Sequence, residues 1–361
     1  MSCLAEPGTA SCWILSDGKA GTETQAHGLA AALGLKPVIK RPRLRTPWRQ
    51  LGPTFRAWAK HGLTPQAADS GQGLPSPDIT ISAGRTGAMA ALAVRAQAAT
   101  APPFAIHIQD PRIAPHNFDL VIAPEHDCLR GHNVFATLGG LHSVTLEALA
   151  GARTRWAPTF SALPTPRVAV LIGGRSRAYD LPEDTAAALA TALGTLTERH
   201  GASVMATLSR RTPAAAATRL ADGIEAAGGW LWDGRGENPY LGLLAWADHI
   251  VLTSDSVTMA SEAAVTGCPL HLYPLPGGNA KFDRFHTGLR RAGIARPFDA
   301  ALPAWSYPPL MEPRRIADLI APELRCRGLQ ISIPIMHRDG TMNALSPETA
   351  APHSTEYTER Q

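Results

Sequence analysis

Short apolar runs alternate with helix-forming segments along most of this chain, and this alternation constrains the fold more than any other feature. The runs lie at residues 12–15, 78–81, 104–108, 119–122, 167–172, 203–208, 249–252 and 269–273. Parallel sheets whose strands are joined by crossover helices have this pattern. The sequence therefore predicts an α/β protein.

The chain of 361 residues is long enough for two such sheets. Residues 157–166 contain three prolines and no apolar periodicity, which is typical of a linker. We expect two doubly wound Rossmann-like domains facing a cleft, residues 1–160 on the acceptor side and 161–330 on the nucleotide-sugar donor side. The tail at 331–361 is rich in Ser, Thr, Pro and charge and is expected to be disordered.

Composition excludes several classes of protein. A net charge of +4 and a pI near 8.9 are too small for a nucleic-acid-binding surface unless the charge is concentrated. The five cysteines are scattered without zinc spacing, which indicates a reducing compartment. There is no secretory signal and no apolar stretch near the ~18 residues that cross a bilayer. A cytoplasmic protein is expected, with peripheral contact to the inner membrane left open.

The segment 253–267 carries the strongest functional signal. It follows the apolar run 250–252 and predicts a strand, a polar elbow, a helix and a glycine stop at Gly267. Capping the helix requires one polar residue, but this turn has several, and Ser254, Asp255, Ser256 and Thr258 are therefore candidate ligand contacts. Because like charges repel, Asp255 is expected to orient donors or contact sugar hydroxyls instead of phosphate. Glu262, about two turns further on, is expected to accept hydrogen bonds from a ribose.

Three other loops of the carboxyl half add candidate contacts to a nucleotide sugar. Gly173 and Gly174 follow a strand and allow close backbone approach to a ligand, and Arg175 adds forked donors for a diphosphate. Ser209 and Arg210 follow the next strand together with Arg211, and one of the two arginines is a candidate phosphate contact. The alternatives stay open here, since each loop is also explained as a strand–helix turn with solvated arginines.

Asn238 precedes a proline and the apolar segment 241–247, and it is a natural cap for a helix that starts there. The same loop is also a candidate wall of a base or sugar pocket. Both interpretations are compatible with the sequence.

The first half offers a candidate acceptor side. Asp17 is a candidate general base for an acceptor hydroxyl, although Lys19 is close enough in sequence to pair with it instead. Gly21 and Gln25 belong to the same elbow. His107 ends another predicted strand and is either an acceptor-side residue or a half-buried strand residue.

Residues 41–60 interleave arginine and lysine with tryptophan and phenylalanine. Such a segment is suited to a lipid or anionic membrane surface, with arginines on phosphates and tryptophans among the headgroups. A solvated loop with its aromatics in the core is the alternative. The modest net charge disfavours nucleic acid.

Five segments together resemble the elongated-mitochondria (mitochondrial fission) family shared by plants and bacteria. They are residues 13–21 with Gln25, 172–174, 209–213, 238–240 and 253–264. The resemblance runs from about residue 12 to 325, and it implies a divergent branch of the GT-B glycosyltransferases. In those relatives a Ser-Glu-Ala helix carries the glutamate that holds the donor ribose, and Glu262 matches it. Gly173 and Gly174 match the first turn of the donor domain.

The first half departs from the cell-wall N-acetylglucosaminyl transferases of that superfamily. It lacks the histidine of their Gly-x-Gly-Gly-His loop, and Asp17 or Thr22 stands nearby.

The resulting hypothesis is a GT-B-type glycosyltransferase that takes a nucleoside-diphosphate sugar, expected to be a UDP-sugar, with a lipid-linked molecule as the candidate acceptor. No cofactor and no metal are required, because helix N-termini and arginines can stabilise the leaving diphosphate. Two alternatives remain: a nucleotide-sugar epimerase, and a non-catalytic membrane-associated adaptor on the same scaffold.

Overall fold

Two six-stranded parallel sheets, one from each half of the chain, dominate the structure. The computed structural model describes residues 9–42, 76–98, 101–336 and 342–343. The strands are β1 (Cys12–Leu15), β2 (Pro37–Lys40), β3 (Ile79–Ala83), β4 (Phe104–Ile108), β5 (Leu120–Pro124), β6 (Val134–Thr137), β7 (Arg167–Ile172), β8 (Ser203–Leu208), β9 (Trp230–Leu231), β10 (His249–Thr253), β11 (Leu270–Tyr273), β12 (Ala295–Pro297), β13 (Ile335–Met336) and β14 (Met342–Asn343). The last two form a short antiparallel pair.

Helices connect the strands and cover the sheets. They are α1 (Ala20–Ala32), α2 (Gly84–Gln97), α3 (Leu146–Arg155), α4 (Ala157–Phe160), α5 (Glu183–His200), α6 (Ala214–Ala226), α7 (Tyr240–Trp246), α8 (Val257–Ala263), α9 (Ala280–Arg291) and α10 (Glu312–Cys326). Strands β3, β4, β5 and β10 are buried along their whole length. Both faces of these strands are covered, which explains why they appear in the sequence as continuous apolar runs.

The strand orders place a crevice in each half. The first sheet has the order β2-β1-β3-β4-β5-β6, and the second has β12-β11-β10-β7-β8-β9. The order therefore reverses between β1 and β3 in one sheet and between β7 and β10 in the other. Ligands of open parallel sheets bind at the carboxyl ends of the strands beside such a reversal. The loops after β1, β7 and β10 all lie at these points.

Two helix groups cross from one half to the other. Leu149 of α3 and Phe160 of α4 join the apolar core of the second sheet, where they lie with Leu243. In return, Ile316 and Ile320 of α10 join the core of the first sheet. The sequence analysis assigns 146–160 to the first half and 312–326 to the second. An apolar stripe shows that a helix packs on a sheet, but it does not show on which one.

The chain after α10 stays on the first half. The amide of Ala10 donates to the carbonyl of Gln330 at 2.9 Å, and Ile331 and Ile333 pack against the core of the first sheet. Apart from this stretch and β13 and β14, the tail that the sequence predicts to be disordered lies outside the described residues. The predicted α/β class, with two doubly wound Rossmann-like domains facing a cleft, is confirmed.

Candidate functional site

A cleft of about 810 Å³ lies where the two halves meet. Thr24 of α1 and Ser143, in the loop after β6, line it from the first half. Asn238, Tyr240 and Glu262 line it from the second. Clefts of this size, walled by two domains, are the usual place for a small-molecule ligand.

Glu262 projects from α8 into this cleft and is bonded to one neighbour, Tyr240. The phenol of Tyr240 donates to Oε2 of Glu262 at 2.7 Å, and no described residue donates to Oε1. Burial raises the pKa of Glu262, and the hydrogen bond from Tyr240 opposes that rise only in part. Burial, followed by the charge of Glu262, raises the pKa of Tyr240 well above its usual value. The phenol therefore remains a donor, and one carboxylate oxygen is left to accept from a ligand.

Asn238 combines the two roles that the sequence left open. Its Oδ1 accepts from the amide of Tyr240 at 3.0 Å, which shapes the turn into α7, and its side chain is also part of the cleft wall. Next to it, Arg155 Nη2 and Glu237 Oε2 form an ion pair at 2.7 Å between α3 and the turn. The turn that carries Asn238 is thereby tied to the end of α3.

The glycine turn after β7 is used differently from the prediction. The amide of Gly173 donates to Thr253 Oγ1 at 2.7 Å, and the amide of Gly174 donates to Asp255 Oδ2 at 3.1 Å. A Cβ on Gly173 would lie 2.0 Å from Asp255 Oδ1. The loop after β10 therefore occupies both amides, so they do not serve as donors to a diphosphate here, and the close approach of a nucleotide sugar to Gly173 and Gly174 stays a prediction.

Asp255 lies at the centre of this corner. Its side chain is fully buried, accepts from Thr253 Oγ1 at 2.6 Å and pairs with Arg211 Nη2 at 2.7 Å. Of the two roles predicted for it, orienting donors fits this geometry, and direct contact with sugar hydroxyls does not. Ser254 is also turned inward, since its Oγ accepts from the amide of Leu275 at 3.0 Å. The prediction that Ser254 contacts a nucleotide sugar is therefore not supported.

The first turn of α8 remains open to the crevice. Ser256 caps the helix by accepting from the amide of Met259 at 3.2 Å. Ser256 and Thr258 are both half-buried. Asp255 and Ser254 are bonded to other residues of the buried corner. Ser256, Thr258 and Glu262 are the other polar residues predicted in this segment.

The arginines that the sequence proposes for phosphate lie at the surface. Arg175 Nε pairs with Asp180 Oδ1 at 3.0 Å and has an exposed side chain. Arg210 is exposed and makes no hydrogen bond or ion pair with another described residue. Ser209 Oγ accepts from the amide of Arg211 at 3.1 Å, so its hydroxyl holds the loop. Arg211, one position from the predicted arginine, is the one that joins the buried corner.

Asp17 lies at the reversal point of the first sheet, but it is paired. Lys19 Nζ and Thr22 Oγ1 both donate to its carboxylate, the second at 3.0 Å. Burial would raise the pKa of Asp17, but the donors from Lys19 and Thr22 outweigh it and lower the pKa. A carboxylate made less basic is a poor proton acceptor. The prediction that Asp17 is a general base is not supported, and the ion pair with Lys19 is the interpretation that fits.

The other acceptor-side candidates, Gly21, Gln25 and His107, differ in burial and do not form one site. Gly21 lies exposed on α1, and Gln25 is buried and accepts from Gln109 Nε2 at 3.3 Å. His107 is fully buried inside the first sheet, with its Nδ1 2.8 Å from Ser82 Oγ. Burial lowers the pKa of His107 to about 3. His107 is therefore a core residue, and of the two interpretations that the sequence left open, the strand residue is the one that fits its burial.

Sequence reasoning missed Tyr240 as a residue of this site, and it left open which of Arg210 and Arg211 has a phosphate role. Tyr240 follows the Asn-Pro pair that starts its helix, and its place in the first turn of that helix is the available signal. Its contact with Glu262, 22 positions further along the chain, is visible in the structure alone. Arg211 stands beside Arg210 in an Arg-Arg pair, and nothing in the local pattern distinguishes the two. The distinction depends on Asp255, which is 44 positions further along the chain.

Three expectations concern features outside this site. Among the described residues, no group of three or more His, Cys, Asp or Glu side chains has the geometry to hold a metal ion. No helix in the described ranges has the length and apolar character needed to span a membrane. The predicted lipid-facing segment 41–60 lies outside the described residues except for its first two positions, of which Arg41 pairs with Glu23 at 2.7 Å.

The family model described as "Mitochondrial fission ELM1" matches residues 20–324 of this sequence. The chain belongs to the mitochondrial fission ELM1 family. The matched region contains the glycine turn, the Arg-Arg pair and α8, and so all the carboxyl-half residues of the site described above. The family resemblance drawn from the sequence is confirmed.

Two curated relatives are similar to this chain. Mitochondrial fission protein ELM1 of Arabidopsis thaliana is 33% identical over 282 residues, which cover 70% of this chain and 65% of the plant protein. The chain thus spans slightly less than two thirds of that relative. An uncharacterized protein of Rickettsia prowazekii (strain Madrid E) is 27% identical over 355 residues, covering 85% of this chain and 97% of that protein.

Two solved structures are similar at low identity. A UDP-GlcNAc 2-epimerase of Methanocaldococcus jannaschii, in complex with UDP-GlcNAc and UDP, has a TM-score of 0.48 and 12% identity, with coverage of 86% of this chain and 99% of that chain. MurG of Acinetobacter baumannii has a TM-score of 0.44 and 14% identity, with coverage of 89% and 92%.

Proposed function

We propose that this ELM1-family protein binds a nucleoside-diphosphate sugar, a UDP-sugar as the expected donor, and transfers the sugar to an acceptor hydroxyl. The observation that carries the proposal is the carboxylate of Glu262, held by Tyr240 at the wall of a cleft of about 810 Å³ between the two halves. A fixed carboxylate with one free oxygen in a half-buried site is suited to accept from the paired hydroxyls of a ribose.

The surrounding wall suits the rest of a nucleoside. Asn238, Leu241 and Trp156 line the same cleft as Tyr240. An amide, an aliphatic chain and an indole combine apolar contact for a base with a few polar groups for its edge. The base is proposed to lie against this wall, with the ribose at Glu262.

The diphosphate is proposed to lie over the start of α8. Ser256 and Thr258 supply hydroxyls there, and Arg175, 69% exposed, is free to turn from Asp180 towards an anion. Neither a metal nor a cofactor is part of the proposal, because hydroxyls and arginines are able to stabilise the leaving diphosphate. The acceptor, for which a lipid-linked molecule is the candidate, would enter from the first half, where Lys19 and Gly21 lie at the exposed start of α1.

One observation favours a second function, binding of a nucleotide sugar without transfer. Asp17 is the carboxylate at the reversal point of the first sheet, and its pairing with Lys19 lowers its pKa and its strength as a base. A transferase on this site would need a different group to accept the proton from the acceptor. An adaptor that senses a nucleotide sugar would need none.

Calorimetry with UDP, UDP-N-acetylglucosamine, UDP-glucose and GDP-mannose tests the shared part of both functions. Glu262→Gln should weaken binding of the preferred ligand by roughly 1–3 kcal/mol. Glu225→Gln, an exposed glutamate of α6, is the matched control and should leave binding unchanged. A wild-type protein that binds none of these ligands contradicts the proposal.

Product analysis separates the activities. Isotopically labelled UDP-sugar is incubated with and without a lipid extract as acceptor. Labelled lipid together with free UDP identifies a transferase, and an isomerised sugar formed without acceptor identifies an epimerase. Binding without either product identifies the adaptor.

A further inference from the structure

We infer that Arg211 is the phosphate-binding arginine of this corner and that the buried carboxylate of Asp255 positions it. This inference rests on the proposed nucleotide site, and it decides which of Arg210 and Arg211 contacts the ligand, a choice that the sequence left open. The ligand group is a phosphate or diphosphate.

The burial of Asp255 is the first observation. Its side chain is fully buried, and a buried carboxylate is costly unless donors surround it. Three groups donate to it: the hydroxyl of Thr253 at 2.6 Å, the amide of Gly174 at 3.1 Å and the guanidinium of Arg211 at 2.7 Å. The carboxylate therefore joins the loops after β7, β8 and β10 at one point.

The exposure of Arg211 is the second observation. Its side chain is 41% exposed although its partner is fully buried, so one end of the guanidinium is anchored and the other faces solvent. Nη1 lies 3.5 Å from the carbonyl oxygens of Gly174 and Arg175, at the outer limit of hydrogen bonding. These contacts are weak enough to be exchanged for a phosphate oxygen.

The backbone of Arg211 is fixed as well. Its amide donates to Ser209 Oγ at 3.1 Å, and its carbonyl accepts from the amide of Arg175 at 3.0 Å. A Cβ on Gly174 would lie 2.2 Å from that carbonyl, so the two loops approach this closely only because residue 174 is glycine. Because both its backbone and its guanidinium are held, Arg211 loses little conformational entropy when it binds an anion, and this favours affinity.

The neighbouring arginines lack this support. Arg210 makes no hydrogen bond or ion pair with another described residue, and Arg175 is 69% exposed and held by the surface residue Asp180. Arg211 also lies beside the reversal between β7 and β10, where the crevice of a doubly wound sheet opens. Planar, forked donors at such a place suit the oxygens of a phosphate.

The sign of one substitution separates positioning from simple electrostatics. By Coulomb's law alone, Asp255→Asn removes a negative charge near the ligand and should tighten binding of an anion. If Asp255 positions Arg211, the same substitution frees the guanidinium and weakens binding. Arg211→Gln and Asp255→Asn should then be non-additive, because both remove the same oriented arginine.

Calorimetry with inorganic pyrophosphate, uridine, UMP and UDP tests the inference on the full chain. We expect Arg211→Gln to weaken pyrophosphate and UDP about tenfold or more and to leave uridine unchanged. Asp255→Asn should also weaken binding of the ligands that carry phosphate and leave uridine unchanged. The double variant should bind these ligands as tightly as Arg211→Gln does. Arg210→Gln is the matched control and should behave as wild type. Arg211→Lys keeps the charge and loses the fork, and it should fall between wild type and Arg211→Gln.

A merely structural ion pair gives a different pattern. Uridine would then weaken as much as UDP in both variants, or Arg211→Lys would bind UDP and pyrophosphate as wild type does, and either result overturns the inference. Tighter UDP binding by Asp255→Asn overturns the positioning role.

If wild type binds pyrophosphate through Arg211 but binds no nucleotide, the proposed function fails and the inference stands. If wild type binds neither, both fail. Circular dichroism of each variant checks that it is folded, and if Asp255→Asn is unfolded, the comparison of Arg211→Gln, Arg211→Lys and Arg210→Gln decides.

Discussion

The amide of Gly140 donates a hydrogen bond to the hydroxyl of Ser261 at 2.9 Å, across the boundary between the two halves. Ser261 is fully buried, and its hydroxyl donates in turn to the carbonyl of Val257 at 2.8 Å. A Cβ on Gly139 would lie 2.4 Å from the same hydroxyl. The loop after β6 therefore rests directly on α8, one residue from Glu262.

Gly139→Ala should disturb this contact. The added methyl group displaces the Ser261 hydroxyl, which costs its bond to Gly140 and forces the halves apart, so we expect a loss of about 1–3 kcal/mol in the free energy of unfolding. Urea denaturation measures it. Ser261→Ala in the same chain removes the clashing oxygen and should recover part of the loss. Gly194→Ala, at an open position of α5, is the control and should stabilise by about 0.5–1 kcal/mol. Equal stability of Gly139→Ala and wild type would contradict the contact.

Glu312 is predicted to hold α10 on the first half. Its buried carboxylate accepts from the amide of Leu138 at 2.8 Å and from Arg315 Nε at 2.8 Å. Glu312→Ala leaves that amide without a partner, removes the charge partner of Arg315, whose Nη2 still donates to the carbonyl of Ala136 at 2.7 Å, and should lower the free energy of unfolding by about 2 kcal/mol. The control is Glu323→Ala on the same helix, whose exposed ion pair with Arg327 should matter by less than about 1 kcal/mol. Similar losses in the two variants would show that Glu312 has no special role.

Buried histidines should make the fold sensitive to acid. Burial lowers the pKa of His107 to about 3 and that of His271 to about 4. Both are neutral in the folded state and gain a proton on unfolding once the pH is below the usual histidine value. Their contribution is thus fully present above about pH 6.5 and is lost as the pH falls towards the folded pKa, by up to ~1.4 kcal/mol per group for each pH unit.

Urea unfolding at a series of pH values between 7.5 and 4.5 measures this loss. Below pH 6.5, His107→Gln should reduce the slope of the free energy of unfolding against pH by up to ~1.4 kcal/mol per pH unit, the effect of one bound proton. His116, on an exposed turn of the same half, is the matched control, and His116→Gln should leave the slope as it is. An unchanged slope in His107→Gln would mean that His107 is protonated in the folded protein.

Tyr240→Phe should make ligand binding depend on pH. Without the phenol, the half-buried carboxylate of Glu262 loses a donor, so its pKa, already raised by burial, rises further. A protonated Glu262 accepts hydrogen bonds from a ribose less well. We expect Tyr240→Phe to bind UDP several-fold more weakly than wild type at pH 6 and nearly as well at pH 8.

Calorimetry at the two pH values measures the effect, and 2′-deoxy-UDP serves as the comparison ligand. Tyr273→Phe, whose phenol donates to the carbonyl of Thr185 away from Glu262, is the control. A pH-independent loss in Tyr240→Phe would show that the phenol acts on the ligand and not through Glu262.

The sequence predicted those features that neighbouring residues decide. The alternation of apolar runs predicted parallel sheets, and the polar elbow at 253–258 predicted a helix that Ser256 caps and that leads to Gly267 in the left-handed region at φ 74°. Strand burial, capping and left-handed stops depend on the residue itself and a few positions on either side. Local pattern is therefore sufficient evidence for them.

What each polar group does was decided by tertiary structure. Gly174 and Asp255 are 81 positions apart, and they meet only because β10 pairs with β7. That pairing uses the glycine amides internally and leaves Arg211, not Arg210, anchored at the corner. The sequence left two interpretations open for both His107 and Asp17 for the same reason, since burial and a neighbouring cation determine proton affinity. These depend on three-dimensional packing, which the order of residues along the chain does not display.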